Sequence, residues 1–377
     1  MALNSPIRLS LMAGATASIL AIAPLSASAQ AETRVVPVTV ASGLASPWGL
    51  AFLPDGGFLV TERDGQLRSI STDGSASEVS GVPKVAASGQ GGLLDIALAP
   101  DFDDTREIYM TFSEPSSAGA GTSLFRAKLE GEAGAFRLTD GKVVFSGNNR
   151  TSGGRHFGSR IAFAQDGTIF LTVGERGESE RAQNPDNHGG SVLRLTRDGG
   201  VPEDNPFVGK PGYQPEIWSM GHRNPQGAAI HPETGLLWTV EHGARGGDEI
   251  NQPQAGKNYG WPVISYGRHY TYLPIGEGTH KNGMEQPLYY WDPSIAPSGM
   301  AFVTSTVYPD WQGSLLIGAL AGQHLSRLSL EGDQVTGEET LLEDLGERIR
   351  DVRQGPDGKV YLLTDSDDGR LIRLDLM

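Results

Sequence analysis

A chain of 377 residues with 38% hydrophobic and 20% charged side chains has an ordinary globular composition, neither fibrous nor disordered. Its formal charge of −15 argues against nucleic acid and anionic membranes as partners. The absence of cysteine excludes thiol nucleophiles, zinc ribbons and iron–sulfur clusters.

The N-terminus reads as an address. Arg8 is the single charge before Glu32, a weakly apolar run follows from Leu9 to Leu25, and Ala27-Ser28-Ala29 offers a small-x-small cleavage pattern. The run is too short and too rich in Ala, Ser, Thr and Gly to span a bilayer comfortably. Residues 1–29 are therefore expected to be a signal peptide, with export to the periplasm or medium. Residues 30–377 are expected to form one domain without membrane insertion.

From there the chain repeats itself six times. The units are Pro47–Gly56 leading into Phe58–Glu62, Leu94–Phe102 into Ile108–Thr111, and Ser159–Gly167 into Ile169–Val173. They continue with Gln226–Pro232 into Leu236–Val240, Ser298–Phe302 into Ser314–Gly318, and Arg350–Gly358 into Val360–Thr364. Each reads as strand, turn of Pro, Asp or Gly, strand, and several run on into a further short strand such as Gln66–Ile70 or Ser191–Leu195. A repeat of that size predicts an all-β, six-bladed β-propeller, with a β-sandwich as the competing architecture. The apolar segment Val35–Val40 precedes the first unit and is expected to close the ring as an outer strand of the last blade.

Propeller sites collect where loops enter the innermost strands, so the residues just before each hairpin carry the information. Those positions hold Gln90, His156, Arg223 with Asn224, and Arg348 with Arg350. Histidine titrates near neutrality and can take a proton from a hydroxyl group, although a lone His in a turn is as readily a backbone-bonded structural residue. Arg348 and Arg350 alternate onto one strand face and suit a multiply charged carboxylate ligand. Asp344 or Glu347 could equally neutralise them. The loop Gly243–Glu249 offers carbonyls and carboxylates to a hard cation such as calcium. Asp365-Ser366-Asp367-Asp368-Gly369 reads as a solvated turn.

In this order the segments resemble one family. They are Gly89-Gln90-Gly91-Gly92-Leu93-Leu94, Arg155-His156, Gly221-His222-Arg223-Asn224-Pro225-Gln226-Gly227, Glu241–Asn251, Lys257-Asn258-Tyr259-Gly260-Trp261-Pro262, Ile295–Gly299 and Arg348–Val352. Together they resemble the soluble quinoprotein sugar dehydrogenases, particularly the bacterial aldose sugar dehydrogenases. The resemblance implies a propeller that binds pyrroloquinoline quinone (PQQ) and calcium (Ca2+) at the channel mouth. It implies oxidation of aldoses to lactones and an external electron acceptor, by a monomer or dimer. It makes His156 the catalytic base and Arg223 the group that polarises the quinone oxygen. Gln90, Asn224, Arg348 and Arg350 become cofactor contacts, with Tyr270 lining the same pocket. Gly243 and Ala244 supply carbonyls to the cofactor's calcium, and Glu249 and Tyr259 are ligands of a second, structural calcium. Two positions depart from the pattern. Ala321 stands where many relatives carry lysine, with Gln323 or His324 as nearby substitutes, and Arg155 stands where the glucose enzymes have an acid. A calcium-dependent propeller hydrolase such as a lactonase, and a non-catalytic sugar-binding propeller, are the competing functions.

Overall fold

The repeated hairpins build six four-stranded antiparallel sheets in the computed structural model, which describes residues 1–2 and 33–377. Residues 3–29 of the signal peptide expected at 1–29 lie outside the described residues, and Thr33–Met377 form one compact unit. Blade 1 runs Pro47–Phe52, Phe58–Glu62, Gln66–Ile70 and Ala76–Glu78, and blade 2 runs Leu93–Leu98, Glu107–Ser116, Gly119–Glu130 and Arg137–Ser146. Blade 3 is Gly158–Phe163, Ile169–Val173, Ser191–Leu195 and Ile217–Met220, and blade 4 is Pro225–Ile230, Leu237–Glu241, Asp248–Asn251 and Tyr289–Trp291. Blade 5 is Pro297–Phe302, Leu315–Ala319, Leu325–Glu331 and Gln334–Leu341. Blade 6 takes Ile349–Gln354, Val360–Thr364 and Gly369–Leu376, and Val35–Leu44 pairs with the last of these as its outer strand. The N-terminal segment thus closes a six-bladed β-propeller, as the position of its apolar run predicts.

The first strand of each blade packs against the first strand of the next, so these six strands surround the channel. Apolar side chains fill each seam between blades. Leu59, Leu93 and Phe112 lie between blades 1 and 2, for example, and Trp238, Met300 and Ile317 between blades 4 and 5. Burial of this kind, at about 25 cal/mol per Å² of apolar surface, is the main stabilising contribution in a protein without disulfides.

One local device recurs. In every blade the pairing of first and second strands slips near the start of the first strand, for instance between Leu93 and Ile96 and between Gly158 and Ile161. An extra residue at such a bulge re-aims a side chain. Here it releases Trp48, Asp95, Arg160, Gln226 and Arg350 for contacts across the channel. Arg160 Nη1 reaches both Asp95 and Asp351 at 2.9 Å, its guanidinium lies 4.4 Å from the Trp48 ring centroid, and its Nε donates to the Gln226 carbonyl at 2.9 Å. Arg353 bonds the same two aspartates at 2.7 and 3.0 Å. These crossed ion pairs plug the channel.

The slip also orphans a backbone N–H, and a second-strand threonine takes it up. Thr61, Thr111 and Thr172 accept from Gly49, Asp95 and Arg160 N–H groups at 2.9, 2.8 and 2.9 Å. Each hydroxyl then donates to a carbonyl of the next blade: Leu94, Ser159 and Pro225. Replacing Thr111 with Val keeps the shape but leaves the bulge N–H unpaired. It should cost about 1–3 kcal/mol, read as a lower denaturant midpoint at unchanged slope. An unchanged midpoint would show that the threonine is dispensable.

Candidate active site at the channel mouth

Loops entering blades 2, 3, 4 and 6 bring the expected residues to one end of the channel. His156 sits with positive φ (56°) just ahead of blade 3 and is 7% exposed. Its Nδ1 lies 2.8 Å from Glu175 Oε1, at the end of the neighbouring strand. A carboxylate there holds the proton on Nδ1, so Nε2 keeps its lone pair. Burial chiefly, with Arg223 and Arg155 adding to it, lowers the His156 pKa below 6.5 even though Glu175 pulls the other way. The ring is therefore neutral at neutral pH and competent as a base.

Its loop is held from three directions. Gln90 Oε1 accepts the His156 N–H at 2.7 Å, so this side chain reaches the base through its backbone. Arg176 is buried under the Phe157 ring and donates to the carbonyls of Arg155, Gly153 and Ala120. Burial pushes its guanidinium down to about 10. Gly174 passes so close that a Cβ would overlap the His156 carbonyl. The loop places Arg155, the departure beside the base, on the exposed side.

Arg223 and Asn224 come from the entry to blade 4. Asn224 Oδ1 accepts the Gly158 N–H at 3.0 Å, and its Nδ2 is buried without a partner. The Arg223 backbone N–H donates to Glu241 Oε2 at 2.6 Å, and its guanidinium lies 5.2 Å from the Trp261 ring centroid. Arg223 Nη1 donates to the carbonyls of Gly243 and His242, while Nε is buried and unpaired. Burial lowers its pKa, partly offset by Glu175. The Tyr270 hydroxyl also bears on Arg223, yet its ring is 68% exposed and projects from the loop between the last two strands of blade 4.

Arg348 and Arg350 do share a face, and both reach Asp365, at 3.0 and 3.1 Å. That corrects the expected anion. Glu347 instead pairs with Arg370 at 3.0 Å, Asp344 is exposed, and the turn read as solvated turns its first residue inward. Arg348 also donates to the Leu320 carbonyl at 3.1 Å, which ties it to the blade 5 turn. In that turn Ala321 and Gln323 are exposed, and His324 is buried with Nε2 unpartnered. Arg350 is 6% exposed, donates to Gln226 Oε1 at 2.8 Å, and keeps a buried, unpaired Nε.

The loop expected to hold cations is built mostly of backbone. Gly243 and Ala244 are buried, and the Gly243 carbonyl faces Arg223. Behind it, Glu241 and Glu249 share the Asn251 amide at 3.0 and 3.2 Å. Burial first, and then the charge of Glu241, pushes the Glu249 carboxyl well above the usual range. The Tyr259 ring stacks on His222, and its hydroxyl is used by the backbone of Gln252 and Gln254, so only its carbonyl can serve a cation. Among the described residues no group of three His, Cys, Asp or Glu side chains could hold a metal.

Sequence reasoning assigned no role to the side chains of Glu175, Arg176, Glu241, His242 and Asp365. His242 donates Nε2–H to the Pro297 carbonyl at 2.6 Å and is held neutral by burial, with its pKa at about 3. The signal for Glu175 was the polar ending of a second strand, Thr172-Val173-Gly174-Glu175, on the rim that carries His156.

Fold and site define a β-propeller whose channel mouth carries a neutral imidazole and arginines with unpaired buried donors. The chain belongs to the glucose/sorbosone dehydrogenase family, whose pattern matches residues 44–373. It is 46% identical to the aldose sugar dehydrogenase YliI of Escherichia coli (strain K12), over 87% of this chain and 89% of that protein. The crystal structure of the apo form of the soluble aldose sugar dehydrogenase from Escherichia coli superposes with a TM-score of 0.89 at 44% identity, covering 91% of this chain and 100% of that one. The PQQ-bound aldose sugar dehydrogenase from Streptomyces coelicolor superposes with a TM-score of 0.76 at 32% identity, over 92% and 99%.

Proposed function

We propose that the chain is an exported, PQQ- and calcium-dependent dehydrogenase that oxidises aldoses to lactones. The observation that carries this is the neutral, Glu175-held His156 on the same channel mouth as buried Arg223, Asn224 and Arg350, each with an unpaired buried donor. Such donors are costly unless a ligand accepts from them. PQQ, with three carboxylates and a quinone, fits that demand, and it is the ligand in the Streptomyces relative's structure.

Arg348, Arg350, Asn224 and Gln90 would hold the cofactor's anionic edge, and Arg223 its quinone oxygen. When bound, PQQ supplies a two-electron acceptor for hydride. His156 Nε2 takes the proton of the anomeric hydroxyl, while Glu175 fixes the ring's tautomer and balances the imidazolium that forms. Arg223 stabilises negative charge developing opposite the base. Oxidation of a cyclic hemiacetal at its anomeric carbon gives a lactone. Gly243 and Ala244 carbonyls suit calcium, although a cation there competes with Arg223 for the first of them. Glu249, buried beside a second carboxylate, gains from any cation that neutralises it. The Tyr259 carbonyl completes that pair.

The test is addition of PQQ and calcium to apoprotein, followed by dye reduction with several aldoses. Lactone formation is the expected result, and no reduction at any PQQ concentration would sink the proposal. Because the His156 pKa is lowered, its base form persists below pH 6.5. The acid limb of kcat/KM should therefore fall below 6.5, and a limb at or above that value contradicts the assignment. Calcium should raise the melting temperature of apoprotein, and Glu249→Gln should diminish that rise. Export predicts a mature N-terminus at Gln30, read by N-terminal sequencing of the protein recovered outside the cytoplasm.

A further inference from the structure

We propose that Arg63 is a third guanidinium of the anion-binding wall formed by Arg348 and Arg350, and that it contacts a carboxylate of PQQ. The inference rests on the cofactor assignment above. It fills the sector of the mouth between blade 6 and the Gln90 loop, where the residue preceding the hairpin is the uncharged Ser46.

The second strand of blade 1, Phe58–Glu62, runs up to the same end of the channel, and Arg63 follows it directly. Its backbone is fixed on both sides. The Arg63 N–H donates to the Ser46 carbonyl and its own carbonyl accepts from the Leu93 N–H, both at 3.2 Å. The stem lies against Gly92, where any Cβ would overlap the Arg63 carbonyl and Cγ. A backbone held this firmly fixes where the side chain starts, and only the rotamers of its head group remain to be ordered on a ligand.

The head group is underused. Its one side-chain hydrogen bond runs from Nη2 to Ser46 Oγ at 3.4 Å, and it belongs to no ion pair among the described residues. Asp64 and Asp367 line the same cleft, where Asp64 accepts from Gln66 at 3.4 Å and Asp367 from Ser46 Oγ at 3.0 Å, and neither forms an ion pair with Arg63. That cleft, about 670 Å³ including its open mouth, is lined by Ser46, Arg63, Gly89 and Gly91, so it adjoins Gln90. On its other side Arg63 lies within electrostatic reach of Arg350 and Asp365. Asp365 already pairs with Arg348 and Arg350, so Arg63 stands near this pair of guanidinium groups without a carboxylate bonded to it among the described residues. Like charges gathered this closely are stabilised by an anion from outside, and a tricarboxylate carries more than one. Arg63 also restores a positive charge to a mouth that has Ala321 in place of lysine.

The experiment titrates apoprotein with PQQ, following the quench of tryptophan fluorescence, and repeats the titration with PQQ trimethyl ester. Arg63→Gln should raise the PQQ Kd about ten- to hundredfold, and Arg63→Lys should recover part of the loss. The ester, lacking carboxylate charge, should bind wild type and Arg63→Gln alike, and the melting temperature should not change. Equal PQQ affinity in wild type and Arg63→Gln overturns the inference, as does an equal deficit with the ester. If wild type itself fails to bind PQQ, the cofactor assignment falls and this inference with it.

Discussion

Replacing His156 with alanine should lower kcat for aldose oxidation by about 10²- to 10⁴-fold, the usual contribution of a positioned base. PQQ affinity should stay within a few-fold of wild type, because the donors expected to hold the cofactor belong to other residues. A loss of binding as large as the loss of turnover would instead mark His156 as a structural member of its loop. The loop offers a control for that. The His156 backbone N–H, not the ring, meets Gln90, and Arg176 holds the carbonyl of the preceding residue. Truncating the ring therefore leaves the tethers in place. Glu175→Gln sharpens the test. Glu175 raises the His156 pKa through its hydrogen bond and its charge. Its neutral replacement should lower that pKa further, so the acid limb of kcat/KM moves to lower pH while the rate on the plateau falls.

The architecture was legible because each blade repeats the same hairpin chemistry, and because Val35–Val40 had no partner within the first unit. The positions ahead of the hairpins were legible for the same reason, since a repeat reveals what each copy adds. Asp365 was not, because the residue that neutralises Arg348 and Arg350 lies across a strand pairing, not beside them in sequence. Proximity in the chain pointed to Asp344 and Glu347, whereas a residue facing across the ladder is nearer than one along the loop. Glu175 escaped in the same way: it pairs with a histidine 19 residues earlier, at the end of the neighbouring strand. The bulges were invisible too. Nothing local distinguishes Asp95 or Arg160 as channel residues until the slip in pairing turns them inward, and a period-two reading assigns faces on the assumption that no such slip occurs.

Arg223→Met should lower kcat by about 10²- to 10³-fold, the range expected when a single preorganised donor to developing negative charge is removed. The group suits that role because its guanidinium is confined before any ligand arrives. Its backbone is fixed to Glu241, Trp261 lies against one face, and Nε is buried without an acceptor. Methionine keeps much of the stem volume while removing every donor, so the melting temperature should change less than the rate. The electrostatic consequence separates this role from a structural one. Arg223 is the leading nearby charge that depresses the His156 pKa, so its removal should raise that pKa. The acid limb of kcat/KM should then move to higher pH, opposite to the shift expected for Glu175→Gln. Two substitutions flanking one imidazole would thus move a single titration in opposite directions. Shifts of the same sign, or none, would mean that the limb belongs to a group other than His156.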